Sequence, residues 1–367
     1  MKLLTILFYI QIITYCSVFS QESTRKELIF PDIFGLKTIK CDFHSHTVFS
    51  DGLVWPTVRI KEAWADGLDL ICITDHLEYR PHEDDVKGDF NKSWEIAKKE
   101  ADKLNILCIK GCEITKRLPP GHFNAVFTKD NNKILKDDFY ESVNEAYNQG
   151  AFITWNHPGW LQPNSIPVWY EQQSTVMHNK QMQGIEVVND KYYAPLAFQW
   201  AIDSNLTLIC GSDLHNPSNM DYKCENNSHR PLTLVFAKEK TEESVKEALL
   251  KRQTVIWHEN LLLGNEKYLN ELFENSLKIS YDTATYYGNK TAVVKIENQS
   301  SFDFEIVPLE VETGLNLNSI GTLYGNSTNI IKAKYKGKFE ITKLELPIII
   351  KNLLIAPEIP LKTVIIL

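Results

Sequence analysis

The stretch IKCDFHSHTVFSDG, residues 39–52, places two histidines and one aspartate directly after an apolar run. His44 and His46 are two positions apart, so on a strand both imidazoles point to the same side. Asp213 and His215, in the segment GSDLH, have the same spacing. Imidazole and carboxylate groups together suit zinc, iron or manganese, but a single His-x-His pair more often makes ordinary hydrogen bonds. One such pair alone therefore does not decide between a metal site and a structural role.

Similar polar residues stand at the ends of several other apolar runs. Six of the ten histidines lie at such positions, together with three acidic residues, between residues 44 and 215. Chance placement does not account for this joint pattern, which predicts a metal centre. The nine candidate ligands are His44, His46, Asp51, His76, Glu113, His122, His157, Asp213 and His215.

The segments that carry these residues alternate between two kinds up to about residue 258. Short β-rich apolar runs are expected to form strands at 68–74, 105–112, 150–155, 184–188 and 206–210. Amphipathic segments are expected to form helices at 56–65, 93–104, 140–149, 194–204 and 242–252. Such alternation is typical of βαβ units in a largely parallel sheet or barrel, where the carboxyl ends of the strands meet on one face.

The last hundred residues have a different pattern, with short alternating runs between turn residues. This part contains neither histidine nor cysteine. The pattern predicts a small antiparallel β domain of the sandwich kind. The predicted organisation is therefore a lead-in at 21–38, an α/β barrel at 39–262 and a C-terminal β domain at 263–367.

The first twenty residues, MKLLTILFYIQIITYCSVFS, combine one basic residue with a short apolar core. They end with Val18 and Ser20 at the −3 and −1 positions of a cut before Gln21. This pattern predicts a cleaved signal peptide, and hence a secreted or periplasmic protein without stable membrane insertion. The formal net charge of −8 argues against general nucleic-acid binding, which normally needs a basic surface.

Export would permit disulfides, but most of the cysteines stand in apolar surroundings. Cys41, Cys72, Cys108 and Cys210 lie inside strand-like runs, where a free thiol behaves as a small hydrophobe. We therefore expect these four to be buried thiols. The pattern leaves Cys112 and Cys224 open.

The motifs DFHSHTVFSDG, ITDH, GCEI, GHFN, NHP and GSDLH resemble, in order, those of the PHP superfamily of metal-dependent phosphoesterases, over about residues 40–258. The forms EITKRLPPGHFN, NHPGW, EVVN and GSDLHNP, with the leader and the trailing β domain, look most like secreted Sb-PDE-type phosphodiesterases. The resemblance implies a distorted (β/α)7 barrel that holds two or three divalent ions of zinc, manganese or iron.

The resemblance also implies how the candidate ligands divide among the ions. The first ion would be bound by His44, His46, Glu113 and Asp213. Glu113 would bridge to a second ion held by His122 and His157. The third would be held by Asp51, His76 and His215, with Asp51 in a place that is histidine in some relatives. Three further carboxylates are expected to orient these ligands from behind: Asp42, Asp75 and Glu186.

A cluster of this kind suits phosphoryl chemistry. We expect a hydroxide that bridges two metals to attack phosphorus in line, with Glu113 fixing the bridge and Asp213 orienting the nucleophile. Cations near the strand ends could bind phosphate oxygens, although each could equally be a solvated surface charge. These cations are Arg80, Lys116, Arg117 and Arg230. Aromatic residues that could wall the pocket, or belong to the core, are Trp155, Trp160 and Tyr192.

Several functions remain open at this point. A phosphodiesterase acting on a small phosphate ester is favoured by the closer resemblance. A phosphomonoesterase of the histidinol-phosphatase kind and a metal-dependent amide or lactone hydrolase are the alternatives. A non-enzymatic protein that binds metal or carbohydrate is disfavoured, because none of the ligand positions is lost. The pattern gives no oligomeric state.

Overall fold

The structure is a computed structural model that describes residues 24–222, 229–286, 289–309, 321–334 and 345–366. The predicted signal peptide and Cys224 lie outside these ranges. None of the helices in the described ranges combines the length and the apolar composition that a membrane crossing requires.

The helices of the described residues confirm all five predicted ones and add three more. They are α1 Pro56–Ala65, α2 Lys92–Leu104, α3 Phe139–Asn148, α4 Glu171–His178, α5 Pro195–Asp203, α6 Ser218–Asp221, α7 Glu242–Leu250 and α8 Glu266–Ser276. Pro56 occupies the first turn of α1, where its missing N–H is not needed. Asp138 caps α3 by accepting a hydrogen bond from the Glu141 backbone.

The strands follow the predicted order, with more of them than the apolar runs alone indicated. The strands that lead up to the second domain are β1 Lys37–Asp42, β2 Leu70–Ile73, β3 Leu107–Thr115, β4 His122–Val126, β5 Phe152–Trp155, β6 Gly184–Asn189, β7 Tyr192–Tyr193, β8 Thr207–Gly211, β9 Leu232–Ala237, β10 Thr254–His258 and β11 Leu261–Gly264. The strands that follow α8 are β12 Leu277–Tyr286, β13 Asn289–Asn298, β14 Phe304–Pro308, β15 Thr322–Leu323, β16 Ser327–Lys334, β17 Glu345–Ala356 and β18 Ile359–Ile366.

The barrel sheet is mixed rather than all parallel. Strands β1, β2 and β3 are parallel, as are β5, β6 and β8, but β4 runs antiparallel between β3 and β5. Because β4 runs the opposite way, its first residue, His122, lies beside Thr115 at the end of β3. The start of β4 therefore lies at the same edge of the sheet as the carboxyl ends of its neighbours.

The barrel is distorted where β8 meets β9 and β10. In the described part of the chain no backbone ladder joins β8 to these strands, and threonine side chains make the contact instead. Thr233 Oγ1 accepts a hydrogen bond from the Cys210 backbone at 3.0 Å, and Thr254 Oγ1 donates one to the Leu208 carbonyl at 3.0 Å. These side-chain hydrogen bonds satisfy backbone polar groups of β8 where it has no strand pairing with β9 or β10.

The apolar strand runs fill the interior of the barrel, and the cysteines belong to this packing. Cys41, Cys72, Cys108 and Cys210 are buried free thiols, which confirms the prediction. Cys112 is buried and free as well. Burial raises the pKa of all five thiols, so they are inert hydrophobic groups rather than ligands or nucleophiles.

The second domain is a sandwich that shares its sheet and its core with the barrel. Strands β12, β13 and β16 form one antiparallel sheet, and β14, β15, β17 and β18 form the other. Strand β17 also pairs in parallel with β11, so the barrel sheet continues into this domain. Ile296 of β13 and Ile348 of β17 belong to the same apolar cluster as Ile60 of α1. The α/β barrel with a following β domain confirms the predicted fold class.

Candidate metal centre

The carboxylates of Glu113 and Asp213 face the same pair of histidines. Glu113 Oε2 lies 3.5 Å from His44 Nε2 and 3.4 Å from His46 Nε2. Asp213 Oδ1 lies 3.2 Å and 3.0 Å from the same two nitrogens. The two imidazole nitrogens are themselves 3.0 Å apart. Four possible ligand atoms, from β3 and from the segments that follow β1 and β8, therefore converge in one small space.

The other oxygen of Glu113 meets two further histidines. Oε1 lies 3.0 Å from His122 Nδ1 at the start of β4, and 3.3 Å from His157 Nε2 just after β5. Asn156 Nδ2 donates a hydrogen bond to the same oxygen at 3.0 Å. Since its two oxygens face different histidines, the Glu113 carboxylate is placed to bridge two cations.

Asp51 brings together a third set of nitrogen atoms. Its Oδ1 lies 3.4 Å from His76 Nε2 and 3.2 Å from His215 Nε2. His46 Nδ1 is 3.9 Å from the same oxygen, and His76 Nδ1 is 2.7 Å from Glu113 Oε2. His46 and His76 thus each lie near both Asp51 and Glu113, an overlap that the resemblance did not imply.

All nine candidate ligands lie in this one cluster. Ligand atoms within 4.8 Å of one another form four overlapping groups: His46, Asp51, His76 and His215; His44, Glu113 and His157; His44, His46 and Asp213; and His76, Glu113 and His122. The four groups share His44, His46, His76 and Glu113, so they form one connected cluster.

Two carboxylate oxygens show that the cluster fits cations. Glu113 Oε2 and Asp51 Oδ1 are buried and make no well-aligned hydrogen bond among the described residues, although imidazole nitrogens lie as near as 2.7 Å and 3.2 Å to them. A buried polar atom without a partner costs roughly 1–3 kcal/mol, and more if it is charged. Imidazole nitrogens and carboxylate oxygens are the donors that zinc, manganese and iron accept. A divalent ion would therefore satisfy atoms that the protein itself leaves unsatisfied.

The charges of the cluster are strongly coupled. Burial alone would raise the pKa of Glu113 and Asp213, but the surrounding histidines hold the pKa of both carboxyls well below the usual range. Burial lowers the pKa of His76, yet Glu113 and Asp51 together raise it to about 10. Burial and the neighbouring His76 lower the pKa of His46 to about 4. Without metal, protons thus supply part of the positive charge that the carboxylates demand.

Glu186 on β6 orients two of the histidines. Its Oε1 accepts a hydrogen bond from His44 Nδ1 at 2.7 Å, so Nε2 is the nitrogen of His44 that faces the cluster. Its Oε2 accepts one from the His157 backbone at 2.8 Å. A Cβ on Gly211 would lie only 2.3 Å from Glu186 Oε1 and 2.4 Å from His44 Cβ. Glycine at 211 is therefore what allows this pair to form.

Asp42 and Asp75 hold the loops that carry the ligands. Asp42 accepts hydrogen bonds from the Ser212 hydroxyl at 2.6 Å and the Ser212 backbone at 3.1 Å, just before Asp213. Asp75 accepts from the Thr47 backbone at 2.7 Å and from Ser50 Oγ at 2.8 Å. Both carboxylates therefore fix segments of backbone that carry candidate ligands.

Two of the candidate ligands occupy unfavourable backbone conformations. His157 and Asp213 have φ values of 27° and 51°, in the left-handed region that residues with a Cβ seldom adopt. Both are held there by backbone hydrogen bonds, since the Asp213 N–H donates to the His44 carbonyl at 2.9 Å and the His157 N–H donates to Glu186. Backbone strain of this kind tends to occur at functional sites.

Comparison with known proteins agrees with this geometry. Residues 42–306 match the model of the PHP domain family. The chain belongs to the PHP domain family. Residues 277–366 also match an Ig-like domain model, in agreement with the sandwich that follows the barrel.

Two relatives show how far the likeness extends. A two-domain protein from Bacteroides vulgatus, described as containing a predicted PHP-like metal-dependent phosphoesterase, has a crystal structure with a TM-score of 0.87 and 39% sequence identity to this chain. The match covers 94% of this chain and 99% of that one, so both domains are shared. An uncharacterized protein from Methanocaldococcus jannaschii is 27% identical over 195 residues, which are 50% of this chain and 84% of that protein.

Within this PHP barrel, the structure places two of the predicted phosphate-binding cations elsewhere. Arg230 is fully buried, where it donates hydrogen bonds to Asp42 at 3.1 Å and to Asp66 at 2.7 Å. Lys116 pairs with Glu78 at 2.7 Å and donates to the Lys136 carbonyl at 2.6 Å. Both predictions of substrate binding are corrected for the same reason: the cation already serves to neutralise or fix protein groups.

The other two cations differ from each other. Arg80 donates to the Phe49 carbonyl at 3.1 Å and the Gly88 carbonyl at 3.0 Å, so it fixes the loop that leads to Asp51. Arg117 is exposed, and no hydrogen bond or ion pair holds its guanidinium within the part of the chain that the structure describes. Of the four cations, Arg117 is the one whose guanidinium has no hydrogen-bond or ion-pair partner among the described residues.

Sequence reasoning missed Arg59, which is fully buried beneath the PHP cluster. On α1, it donates hydrogen bonds to the His46 carbonyl at 3.0 Å, the Leu214 carbonyl at 3.0 Å and the His215 carbonyl at 3.2 Å. It therefore ties the ligand segment after β1 to the one after β8. A single arginine on an amphipathic helix is usually a solvated charge, so no signal in the sequence pointed to this role.

The three aromatic candidates have three different positions. Trp155 is buried in the core at 1% exposure, so it does not wall a pocket. Tyr192 donates its hydroxyl to the Ser165 carbonyl and thereby braces the loop after β5. Trp160 lies beside the cluster, with its ring centroid 4.6 Å from that of His122, and remains 47% exposed.

Proposed function

We propose that this PHP protein is an exported, metal-dependent phosphodiesterase. The observation that carries the proposal is the convergence of nine candidate ligand side chains in one cluster, in which two buried carboxylate oxygens make no hydrogen bond. The description of the Bacteroides vulgatus relative as a predicted metal-dependent phosphoesterase supports it.

The residues that would hold the ions follow from the distances. His44, His46, Glu113 and Asp213 would hold one, Glu113 with His122 and His157 a second, and Asp51 with His76 and His215 a third. Divalent ions bound there would supply Lewis-acid charge that activates water and neutralises phosphate oxygens.

The chain's own residues prepare this site. Glu186 holds the proton of His44 on Nδ1, and the Asp213 carbonyl holds that of His215 on Nδ1 at 2.7 Å. Both histidines thus turn Nε2 towards the cluster. Glu113, whose two oxygens face different histidines, would hold two ions at a fixed spacing. Asp213 contributes Oδ1 to the cluster while its Oδ2 accepts from Asn189 at 3.3 Å, which would let it orient a nucleophile.

The state of the cations supports a diester substrate. A phosphodiester carries one negative charge, whereas a monoester dianion carries a second that needs its own partner. Arg230, Lys116 and Arg80 are all engaged by protein groups, so Arg117 alone of these four is free to meet a phosphate oxygen. The resemblance to Sb-PDE-type phosphodiesterases also favours a diester substrate, and this resemblance stays a prediction.

A phosphomonoesterase is the second candidate, and one observation favours it. The group formed by Asp51, His76, His215 and His46 could hold a third cation. That extra charge would compensate the second negative charge of a monoester. The choice between diester and monoester therefore depends on whether the third centre is filled during turnover.

Turnover of two chromogenic esters separates these functions. The mature protein would be stripped with a chelator, resupplied with zinc, manganese or iron, and assayed on bis(p-nitrophenyl) phosphate and p-nitrophenyl phosphate. We expect metal-dependent cleavage with the larger kcat/KM on the diester. A bias to the monoester would identify a phosphatase, and metal binding without cleavage of either ester would point to an amide or lactone hydrolase.

Export is part of the proposal and has its own test. Residues 1–20 have the pattern of a cleaved leader. Expression of the full chain in a bacterial host, followed by cell fractionation and N-terminal sequencing, should give a periplasmic or secreted protein that begins at Gln21. A cytoplasmic protein that retains its first twenty residues would contradict export.

A further inference from the structure

Two exposed aromatic residues stand at the ends of a row of four rings that runs through the metal cluster. The ring centroids of Tyr79 and His76 are 6.2 Å apart, those of His76 and His122 are 5.7 Å apart, and those of His122 and Trp160 are 4.6 Å apart. The two histidines in the middle are candidate metal ligands. Tyr79 and Trp160 make no ring contact with each other in the described part of the chain.

The burial of the four rings changes abruptly along this row. His76 and His122 are only 7% and 8% exposed, whereas Tyr79 is 53% and Trp160 is 47% exposed. A single exposed aromatic residue is ordinary on a protein surface. Tyr79 and Trp160, however, each contact the ring of a candidate ligand of the same cluster. They therefore give the charged site an exposed apolar surface on each of two sides.

Both aromatic residues stand on backbone that is fixed by its neighbours. Next to Tyr79, Glu78 accepts a hydrogen bond from the Thr115 backbone at 2.7 Å, and Arg80 donates to the Phe49 carbonyl at 3.1 Å. The Trp160 N–H donates to the His157 carbonyl at 2.8 Å.

The loop that carries Trp160 is further fixed at Gly159. A Cβ on Gly159 would lie 2.4 Å from the Ser165 carbonyl oxygen, so glycine is needed for the loop to close on itself. The Tyr192 hydroxyl donates to the same carbonyl. The backbone at Tyr79 and Trp160 is therefore fixed, each ring contacts one buried imidazole, and the outer surfaces of both rings stay exposed, which is a preorganisation that favours ligand binding.

We propose that Trp160 and Tyr79 each hold one of the two organic groups of a phosphodiester whose phosphate lies at the metal cluster, and that these groups are aryl or other planar rings. The proposal rests on the proposed phosphodiesterase activity. It adds the substrate class, because aromatic side chains prefer flat apolar partners over small alkyl or hydroxylated ones.

Two diesters with the same leaving group test the proposal. Bis(p-nitrophenyl) phosphate has two aryl groups, and methyl p-nitrophenyl phosphate has one. We expect Trp160→Ala and Tyr79→Ala each to lower kcat/KM on the bis-aryl diester by about 3- to 10-fold, the size expected for one lost stacking contact. On the methyl aryl diester, one of the two variants should match the wild type, because one aryl group is missing.

Three controls keep the result interpretable. Trp160→Phe and Tyr79→Phe, which retain a ring, should recover most of the lost kcat/KM. Tyr147→Ala, at an exposed tyrosine on α3 away from the cluster, should leave kcat/KM unchanged on both diesters. The metal content of every variant, measured by elemental analysis, should equal that of the wild type.

Equilibrium binding separates failure of this inference from failure of the proposed function. Calorimetric titration should show that diphenyl phosphate binds the metal-loaded wild type more tightly than dimethyl phosphate, and that either alanine variant weakens this preference. Such binding without turnover of any phosphate ester would overturn the diesterase proposal alone. Turnover with the same kcat/KM in wild type and both alanine variants, or an equal loss on both diesters, would overturn the roles of Trp160 and Tyr79.

Discussion

The metal centre and the sandwich domain bury polar side chains equally deeply, but the chemical state of those side chains differs. In the sandwich, Asn298 is 2% exposed and makes four hydrogen bonds: Nδ2 donates to the carbonyls of Phe302 and Leu323, and Oδ1 accepts from the backbone and hydroxyl of Ser300. In the barrel, Glu113 is 0% exposed and its Oε2 has no hydrogen-bond partner among the described residues.

Hydrogen bonding and charge distinguish a site from the other buried polar groups. A neutral amide with every donor and acceptor satisfied stabilises a turn and needs nothing more. A buried carboxylate oxygen without a partner, surrounded by imidazoles, is costly unless a cation meets it. Burial alone would not have separated the two regions; the balance of charge and hydrogen bonding does.

The largest effect is expected from Glu113→Gln, which removes the charge and keeps the shape. Because both oxygens face separate groups of histidines, turnover should fall by at least about 10³-fold while the far-ultraviolet circular dichroism spectrum stays the same. Glu95→Gln, at an exposed position on α2, is the matched control and should leave turnover unchanged. Turnover of the Glu113 variant within tenfold of the wild type would refute the bridging role.

A smaller effect, on metal affinity, is expected from Glu186→Gln, because Glu186 contacts the candidate ligand His44. Its Oε1 accepts from His44 Nδ1 at 2.7 Å and so fixes which nitrogen faces the metal. Losing such a partner typically weakens metal binding by about 10- to 100-fold. Competition with a fluorescent chelator would measure the dissociation constant, and an unchanged constant would show that Glu186 does not orient the ligand.

The affinity of the protein for metal should change about tenfold per pH unit for each proton that the metal displaces. Since the pKa of His76 is raised to about 10 without metal, a cation must displace its proton throughout the neutral range. Affinity should therefore rise from pH 6 to pH 9. Calorimetry in buffers of different ionisation enthalpy would count the released protons, and affinity independent of pH would contradict the raised pKa.

The same group has the opposite effect on the stability of chelated protein. A raised pKa in the folded state means that the stabilisation by protonated His76 is fully present below the unfolded value near 6.5 and is lost as the pH approaches about 10. The melting temperature of chelated protein should therefore fall between pH 7 and pH 10. Glu113→Gln, which removes a main cause of the shift, should reduce this fall.

Asn298→Ala should have no effect on the centre and a clear effect on the fold. It removes hydrogen bonds to three residues and leaves buried carbonyls without donors. The free energy of unfolding should therefore fall by about 2 kcal/mol. Metal affinity and kcat/KM of the folded variant should equal those of the wild type. A loss of metal binding at a temperature where the variant is fully folded would show that the two regions are not independent.

Residue type and position along the chain were enough to predict the nine cluster residues and the five helices. Most ligand candidates stand at or just after a strand end, and the strand ends of a barrel meet whatever the details of packing. His122 fits this rule only because β4 runs antiparallel, which the apolar run HFNAVFT does not reveal. Helices α4 and α8 were missed because α4 buries few apolar residues and α8 lies inside the region whose alternation indicated strands.

The roles of the arginines and lysines could not be predicted in the same way. Arg59 and Arg230 are both fully buried, one beneath the ligand loops and the other between Asp42 and Asp66. Burial of a long cation depends on tertiary partners far apart in sequence, as in the 188-residue separation of Arg230 from Asp42. Nothing in the local pattern distinguishes such a residue from the exposed Arg117.

Metal stoichiometry is the most direct test of the claim that the unsatisfied carboxylates of the barrel form a metal centre. The mature protein would be stripped with a chelator, dialysed against zinc or manganese, and analysed for bound metal by mass spectrometry. We expect two or three ions per chain in the wild type and in Asn298→Ala, and fewer in Glu113→Gln. Absence of bound metal in the wild type, or equal binding by the wild type and Glu113→Gln, would refute a metal centre at these carboxylates.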